Sequence, residues 1–152
     1  MLRDLIDSTL IIECVQAGSK GDALDEILRL AVKAKLLAAK KFAAVRKLLQ
    51  EREDLGSTGI GNGVAVPHVK TVDIAKTCMI LARSVEGIPF SSVDGKDVHT
   101  VFMLLAPADA AEEHLQVLRW ISTLARSGDF RRFFSDAAGE AEIRDLLHEM
   151  CE

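Results

Sequence analysis

The chain is predicted to fold as a single α/β domain over residues 1–152. It is a layered α+β arrangement in which a mixed sheet of about five strands is flanked by helices on both faces. Three observations lead there. Amphipathic helical periodicity fills the first third, apolar runs of strand length bounded by turn signals occupy the middle, and helical periodicity returns to the C-terminus. At 152 residues the chain has the size of one ordinary domain and enough material for a real core.

A short leader, MLRDLID, precedes LIIECV (10–15), an apolar run compatible with a strand. In SKGDALDEILRLAVKAKLL (19–37), Ser19 or Asp22 can cap a helix, and Leu24, Ile27, Leu28 and Ala31 recur at helical spacing. A second helix is predicted over KKFAAVRKLLQERED (40–54), with Phe42, Val45, Leu48 and Leu49 as its buried stripe and Gly56 as a left-handed terminator. TCMILARSV (77–85) and VHTVFMLLAP (98–107) read as strands, joined by the Gly-Ile-Pro and Asp-Gly punctuation of EGIPFSSVDGKD. The second run is apolar on both alternations, which places it inside a sheet covered on both sides. Three helices follow, in AAEEHLQVLRWISTLARSG (110–128), GDFRRFFSD (128–136) and GEAEIRDLLHEM (139–150).

Composition excludes several classes. The formal net charge is −4 with no run of five or six basic residues, so nucleic-acid binding has little electrostatic support, although a local basic patch fits within a mildly acidic total. No apolar stretch approaches the roughly 20 residues of a membrane span, and the N-terminus lacks a signal-peptide layout. A cytoplasmic protein without membrane insertion is expected. Cys14, Cys78 and Cys151 are an odd number without a C-x-x-C pair, which suits incidental or buried thiols rather than disulfides or a metal site.

One stretch stands apart: DLGSTGIGNGVAVPHVK (54–70) packs glycines into a turn that ends in proline and histidine. Clustered glycines supply positive φ or leave amides uncovered for anions. STGIGNG resembles a dinucleotide-binding fingerprint, but that motif needs a strand before it and a helix after it. Here a helix precedes it and Pro67 blocks one from following. The other use of the turn is to present His68. Proline biases Val66 toward extended backbone, so VAVPH reads as a short strand that stops and exposes the imidazole. A neutral imidazole is nucleophilic at cellular pH and can accept a phosphoryl group, with Ser57 and Thr58 as hydroxyl donors to its oxygens.

From Arg52 to His68, the pattern R-E-x-L-G-S-T-G-I-G-N-G-V-A-V-P-H resembles the signature of IIA domains of the mannitol, fructose and nitrogen-regulatory class in the bacterial phosphoenolpyruvate-dependent phosphotransferase system. The G-I-P-F segment, the V-F-M-L-L-A-P strand and the E-E-H-L-x-x-L helix resemble their counterparts in the same order. The resemblance implies a transferase component working through a transient phosphohistidine. His68 would accept a phosphoryl group from the phosphocarrier HPr and pass it to a IIB domain or to a regulatory target protein. His114 matches the second active-site histidine and Arg52 an arginine of the phosphate site. No metal or cofactor is implied. Where many members have glycine after the histidine, this chain has Val69, so either the local backbone is extended or the docking surface differs. Val66, Val69, Ile60 and the 111–120 helix are candidates for that surface. His99 reads as a sheet or edge residue, and His148 as a charge at a helix C-terminus.

Overall fold

A computed structural model describes residues 1–151. Six helices surround one mixed sheet of six strands. In chain order they are α1 (Leu2–Ser8), β1 (Leu10–Ile12), α2 (Lys20–Lys33), a 3-10 turn (Ala39–Lys41), α3 (Phe42–Leu55), β2 (Gly59–Gly61), β3 (Val64–Ala65), β4 (His68–Thr71), β5 (Cys78–Ile88), β6 (Val98–Pro107), α4 (Ala111–Arg126), α5 (Gly128–Asp136) and α6 (Glu140–Met150).

The sheet is organised around β6, which pairs antiparallel with β5 along one edge and parallel with β3 and then β4 along the other. β1 adds to β5 in parallel and β2 closes the far edge against β3. Successive β6 side chains enter different cores. Val101, Met103 and Leu105 pack with α2 and α3, through Leu24, Leu28, Val45 and Leu49. Phe102 and Leu104 pack with α1, α4, α5 and α6, through Ile6, Val117, Ile121, Phe130 and Leu147. Burial of both alternations is what a continuous apolar run in a doubly covered sheet requires.

The expected flanking helices are present, with Ser19 as the cap of α2, its hydroxyl accepting the Asp22 N–H at 3.3 Å. Four details differ from the sequence expectation. The leader is itself a helix, α1, held at its C-terminal end by Arg144 of α6, whose Nη1 donates to the carbonyls of Ile6 and Thr9 at 2.7 and 3.0 Å. β1 stops at Ile12 because Glu13 and Cys14 are exposed and leave the ladder. Gly56 ends α3 with a positive φ of 155°, but with ψ of 140° it is an extended glycine rather than a left-handed cap. The strand count is six because the single run expected from VAVPH divides into β3 and β4, and because the glycine turn itself supplies β2.

That interruption orients the site. Ala65 pairs with Val101 and His68 with Leu104, so both pieces keep the same register on β6. Alternation carries through the gap: Ala65 and Val69 enter the α2/α3 core, and Val64 and Val66 enter the α4 core. His68 shares parity with Val64 and Val66 and therefore lies on the α4 side. His68 accordingly opens β4 instead of standing at a strand's end.

Candidate active site

The glycine turn is a hairpin support. Gly61 and Gly63 take positive φ of 97° and 75°, and a Cβ at Gly59 would sit 2.2 Å from the Ser92 hydroxyl. The turn follows a helix and leads into a strand, the opposite of the dinucleotide-binding context.

His68 is half-buried. Its Nδ1 lies 2.7 Å from the carbonyl oxygen of Val66. A carbonyl only accepts, so Nδ1 carries the proton and Nε2 keeps its lone pair. The acceptor is available for a backbone reason. Val66 N–H donates to Thr58 O, away from β6, and its C=O points to the same side, while the Leu104 N–H of β6 is taken by Pro67 O at 2.9 Å. Burial lowers the pKa of His68. The Val66 carbonyl and Glu53 oppose that, and Arg52 and Lys70 add to it. The ring is thus held neutral.

His114 stands in the first turn of α4 and is buried at 6% exposure, so it is not a solvated helix-start residue. Its ring centroid is 5.4 Å from that of His68, with planes tilted by 51°. Nδ1 of His114 is buried without a hydrogen-bond partner. Burial, then the neighbouring His68 and Lys70, lower its pKa to about 4. Because its folded pKa lies below the ordinary 6.5, this ring adds stability above pH 6.5 that is lost as pH falls through about 4. The lost stability is roughly 3 kcal/mol. Urea midpoints measured from pH 7 to 4 should therefore fall more steeply for the wild type than for His114→Gln. Parallel pH profiles for the two would contradict this assignment.

Arg52, in the last turn of α3, and His68 together line two adjoining depressions. One, of about 360 Å³, also includes Leu55, Val69, Lys70 and His114; the other, of about 190 Å³, includes Ser57, Thr58, Ile60 and Leu118. Arg52 Nη1 donates to Gly56 O at 2.8 Å, which fixes the guanidinium and uses one of its five N–H donors.

Ser57 and Thr58 line the second depression, but their hydroxyl protons are committed: Ser57 to Phe90 O at 2.5 Å, and Thr58 to Glu53 Oε2 at 2.5 Å. In this structure both hydroxyls build the turn. Val69 is extended in β4, which resolves the question raised by the absent glycine, and it is 8% exposed. Val66 is buried too, at 5% exposure, so the two valines line the depressions, Val69 the first and Val66 the second, without projecting from the surface. Leu55, Ile60 and Leu115 are the exposed apolar side chains here. His99 and His148 lie apart from this group: His99 donates from Nδ1 to Ser84 O at 2.9 Å, and His148 Nε2 meets Asp7 at 2.8 Å.

Sequence reasoning left Glu53 without a role. It is buried at 6% exposure, accepts the Thr58 N–H at 3.1 Å and its hydroxyl, and pairs with Lys20 Nζ at 2.9 Å. The signal was present: Val45, Leu49 and Glu53 are spaced by four, so a carboxylate falls on the inward stripe of α3. Through it the helix end that carries Arg52 is locked to the turn that leads to His68.

Fold and site together define an α/β domain in which two histidines, 5.4 Å apart, and an arginine face one cleft. The family model for the EIIA 2 component of the phosphoenolpyruvate-dependent sugar phosphotransferase system matches residues 4–150, and the chain belongs to that family. It is 39% identical over 131 residues to a nitrogen regulatory protein of Bradyrhizobium diazoefficiens, covering 86% of this chain and 84% of that one. It is 37% identical over 135 residues to a fructose-specific EIIA component of Haloferax volcanii, covering 89% and 86%. Among solved structures, nitrogen regulatory protein IIA-Ntr of Neisseria meningitidis superposes with a TM-score of 0.84 at 29% identity, over 96% of this chain and 98% of that one. The same fold is seen in the complex of enzyme IIAMTL with phosphorylated enzyme IIBMTL from Escherichia coli, with a TM-score of 0.74 at 22% identity over 91% and 94%. Among the described residues, no helix is long and apolar enough to cross a membrane.

Proposed function

We propose that this chain is a phosphohistidine carrier that receives a phosphoryl group from an HPr-like phosphocarrier on Nε2 of His68 and passes it to a IIB domain. The observation that carries this reading is the 2.7 Å contact between His68 Nδ1 and Val66 O, which commits one ring nitrogen as donor and leaves the other as nucleophile. As the new N–P bond forms and the donor's N–P bond breaks, positive charge grows on the ring, and the Val66 carbonyl stabilises it. Charge on the travelling group resides on its peripheral oxygens, so positioning and electrostatics dominate the barrier. Arg52 supplies a fixed cation, and His114 supplies a neutral ring N–H at short range.

Incubation with phosphoenolpyruvate, enzyme I and HPr tests this. The expected product is acid-labile and shows the 31P signal of an Nε2-phosphoimidazole. An Nδ1-phosphoimidazole, or an acid-stable ester, would overturn the assignment.

A second reading is a regulatory module that controls target proteins by its phosphorylation state, favoured by 39% identity to a relative named as a nitrogen regulatory protein. A regulator should hold a stable partner in one phosphorylation state, whereas a relay should hold a partner only fleetingly in either.

A further inference from the structure

Charge is unevenly distributed along this chain. Residues 27–50 hold seven of its 19 lysines and arginines and none of its 23 aspartates and glutamates, leaving 12 basic against 23 acidic residues elsewhere. Five of these cations, Arg29, Lys33, Lys35, Lys40 and Lys41, lie along the second half of α2, the 34–38 loop and the 3-10 turn that leads into α3, whereas Arg46 reaches back to Gly21 and Asp25 in the first half of α2. Arg29, Lys33, Lys35, Lys40, Lys41 and Lys47 are all exposed. Only part of this charge is met: Arg46 pairs with Asp25 at 2.6 Å, and Lys41 reaches Asp73 at 3.5 Å.

A recess of about 480 Å³ opens within this corner, lined by Arg29, Val32, Lys33, Ala39 and Phe42. Its floor is apolar and its rim cationic. The Arg29 guanidinium lies 4.6 Å from the centroid of the Phe42 ring, and both Phe42 and Val32 are half-buried against the α2/α3 core.

We propose that this corner docks an acidic segment of a partner protein, one bulky apolar side chain of which enters the recess between Val32 and Phe42 while its carboxylates meet the lysine rim. A cationic rim that is only partly paired steers an acidic partner and sets its orientation, and the apolar recess supplies the desolvated anchor. A protein segment fits better than a lipid surface. Adsorption to lipid needs apolar side chains that project beyond the cations. Here Val32 and Phe42 are recessed, and within residues 27–50 the one large apolar side chain that is exposed, Leu36 at 36%, is too little for such an insertion. The corner is also separate from the histidine cleft. Phe42 and Arg52 stand near opposite ends of α3, about 15 Å apart along its axis. A partner held at the corner thus leaves His68 open.

The test follows amide chemical shifts of the full chain as two short Glu/Ser peptides are added, one with a central phenylalanine and one with glycine in its place. Phosphatidylglycerol vesicles and a dilution series of the protein form the other arms. The phenylalanine peptide is expected to shift amides within 29–47 and to bind at least about tenfold tighter than the glycine peptide. Its affinity should fall with added salt, and drop at least about tenfold in the K33E/K40E variant, whose fold and phosphoryl acceptance stay unchanged. Equal binding of both peptides, no binding, or binding indifferent to K33E/K40E would overturn the proposal. So would adsorption to vesicles without peptide binding, which would assign the corner to a membrane. Self-association abolished by K33E/K40E would overturn it too, assigning the corner to a second copy, whose half-exposed Phe133 sits beside Asp136, Glu142, Asp145 and Glu149.

Discussion

His68→Gln is expected to reduce phosphoryl acceptance from HPr by at least about a thousandfold, to background, while leaving the fold intact. Glutamine is close to histidine in size and can still donate an amide N–H toward the Val66 carbonyl, so the half-buried position is filled and the β4 pairing with β6 is undisturbed. What it lacks is an sp² nitrogen lone pair that can take a phosphoryl group. His114→Gln provides the contrast. It removes a neighbouring ring 5.4 Å away but not the acceptor, so labelling should persist and slow by about a hundredfold, the scale of one lost transition-state donor. Radiolabel incorporation from phosphoenolpyruvate, with unfolding midpoints measured in parallel, separates lost chemistry from lost structure. Undiminished label in His68→Gln would remove this residue from the mechanism.

Glu53→Ala should cost about 3–5 kcal/mol, the largest stability loss expected of any single polar replacement near the cleft. The carboxylate is 6% exposed and binds three donors from two elements: the Thr58 amide and hydroxyl, and Lys20 Nζ. Alanine leaves the buried Thr58 donors unpaired and strands the ammonium of a partly buried lysine. Glu53→Gln keeps the shape and an acceptor oxygen but loses the charge, so its cost should be smaller, about 2 kcal/mol. Urea unfolding with an unchanged m-value measures both. Phosphoryl acceptance should decline even at temperatures where Glu53→Gln remains fully folded, because the carboxylate joins the end of α3 to the turn entering the histidine strand. Equal stability of Glu53→Ala and wild type would show that the turn is held by its glycines and backbone alone.

Much of this architecture is legible in the residues. VHTVFMLLAP, apolar on both alternations, becomes the doubly covered central strand β6 over the expected residues, and GDFRRFFSD becomes α5. Periodicity was informative wherever one element buries one stripe. It failed where a distant residue decides. α1 is only seven residues long, too short to persist by itself, and exists because Arg144, more than 130 residues later, satisfies its terminal carbonyls. His68 stood out from its glycine turn and proline, but Arg52 and His114 were singled out only through the family resemblance, since the convergence of α3, β4 and α4 is not written in any local pattern. The hydroxyls of Ser57 and Thr58 looked available because sequence does not reveal Phe90 O and Glu53 as their acceptors.

The unbroken register across Val66 and Pro67 has an evolutionary corollary. Between Ala65 and His68, chain length acts as a parity lock. Deleting either intervening residue, with β4 still seated on β6, would rotate the imidazole from the α4 cleft into the hydrocarbon packed beneath α2 and α3. Insertions and deletions should therefore be tolerated at the tip around Asn62, where the hairpin reverses, and be lethal to function four or five residues later, at Val66 and Pro67.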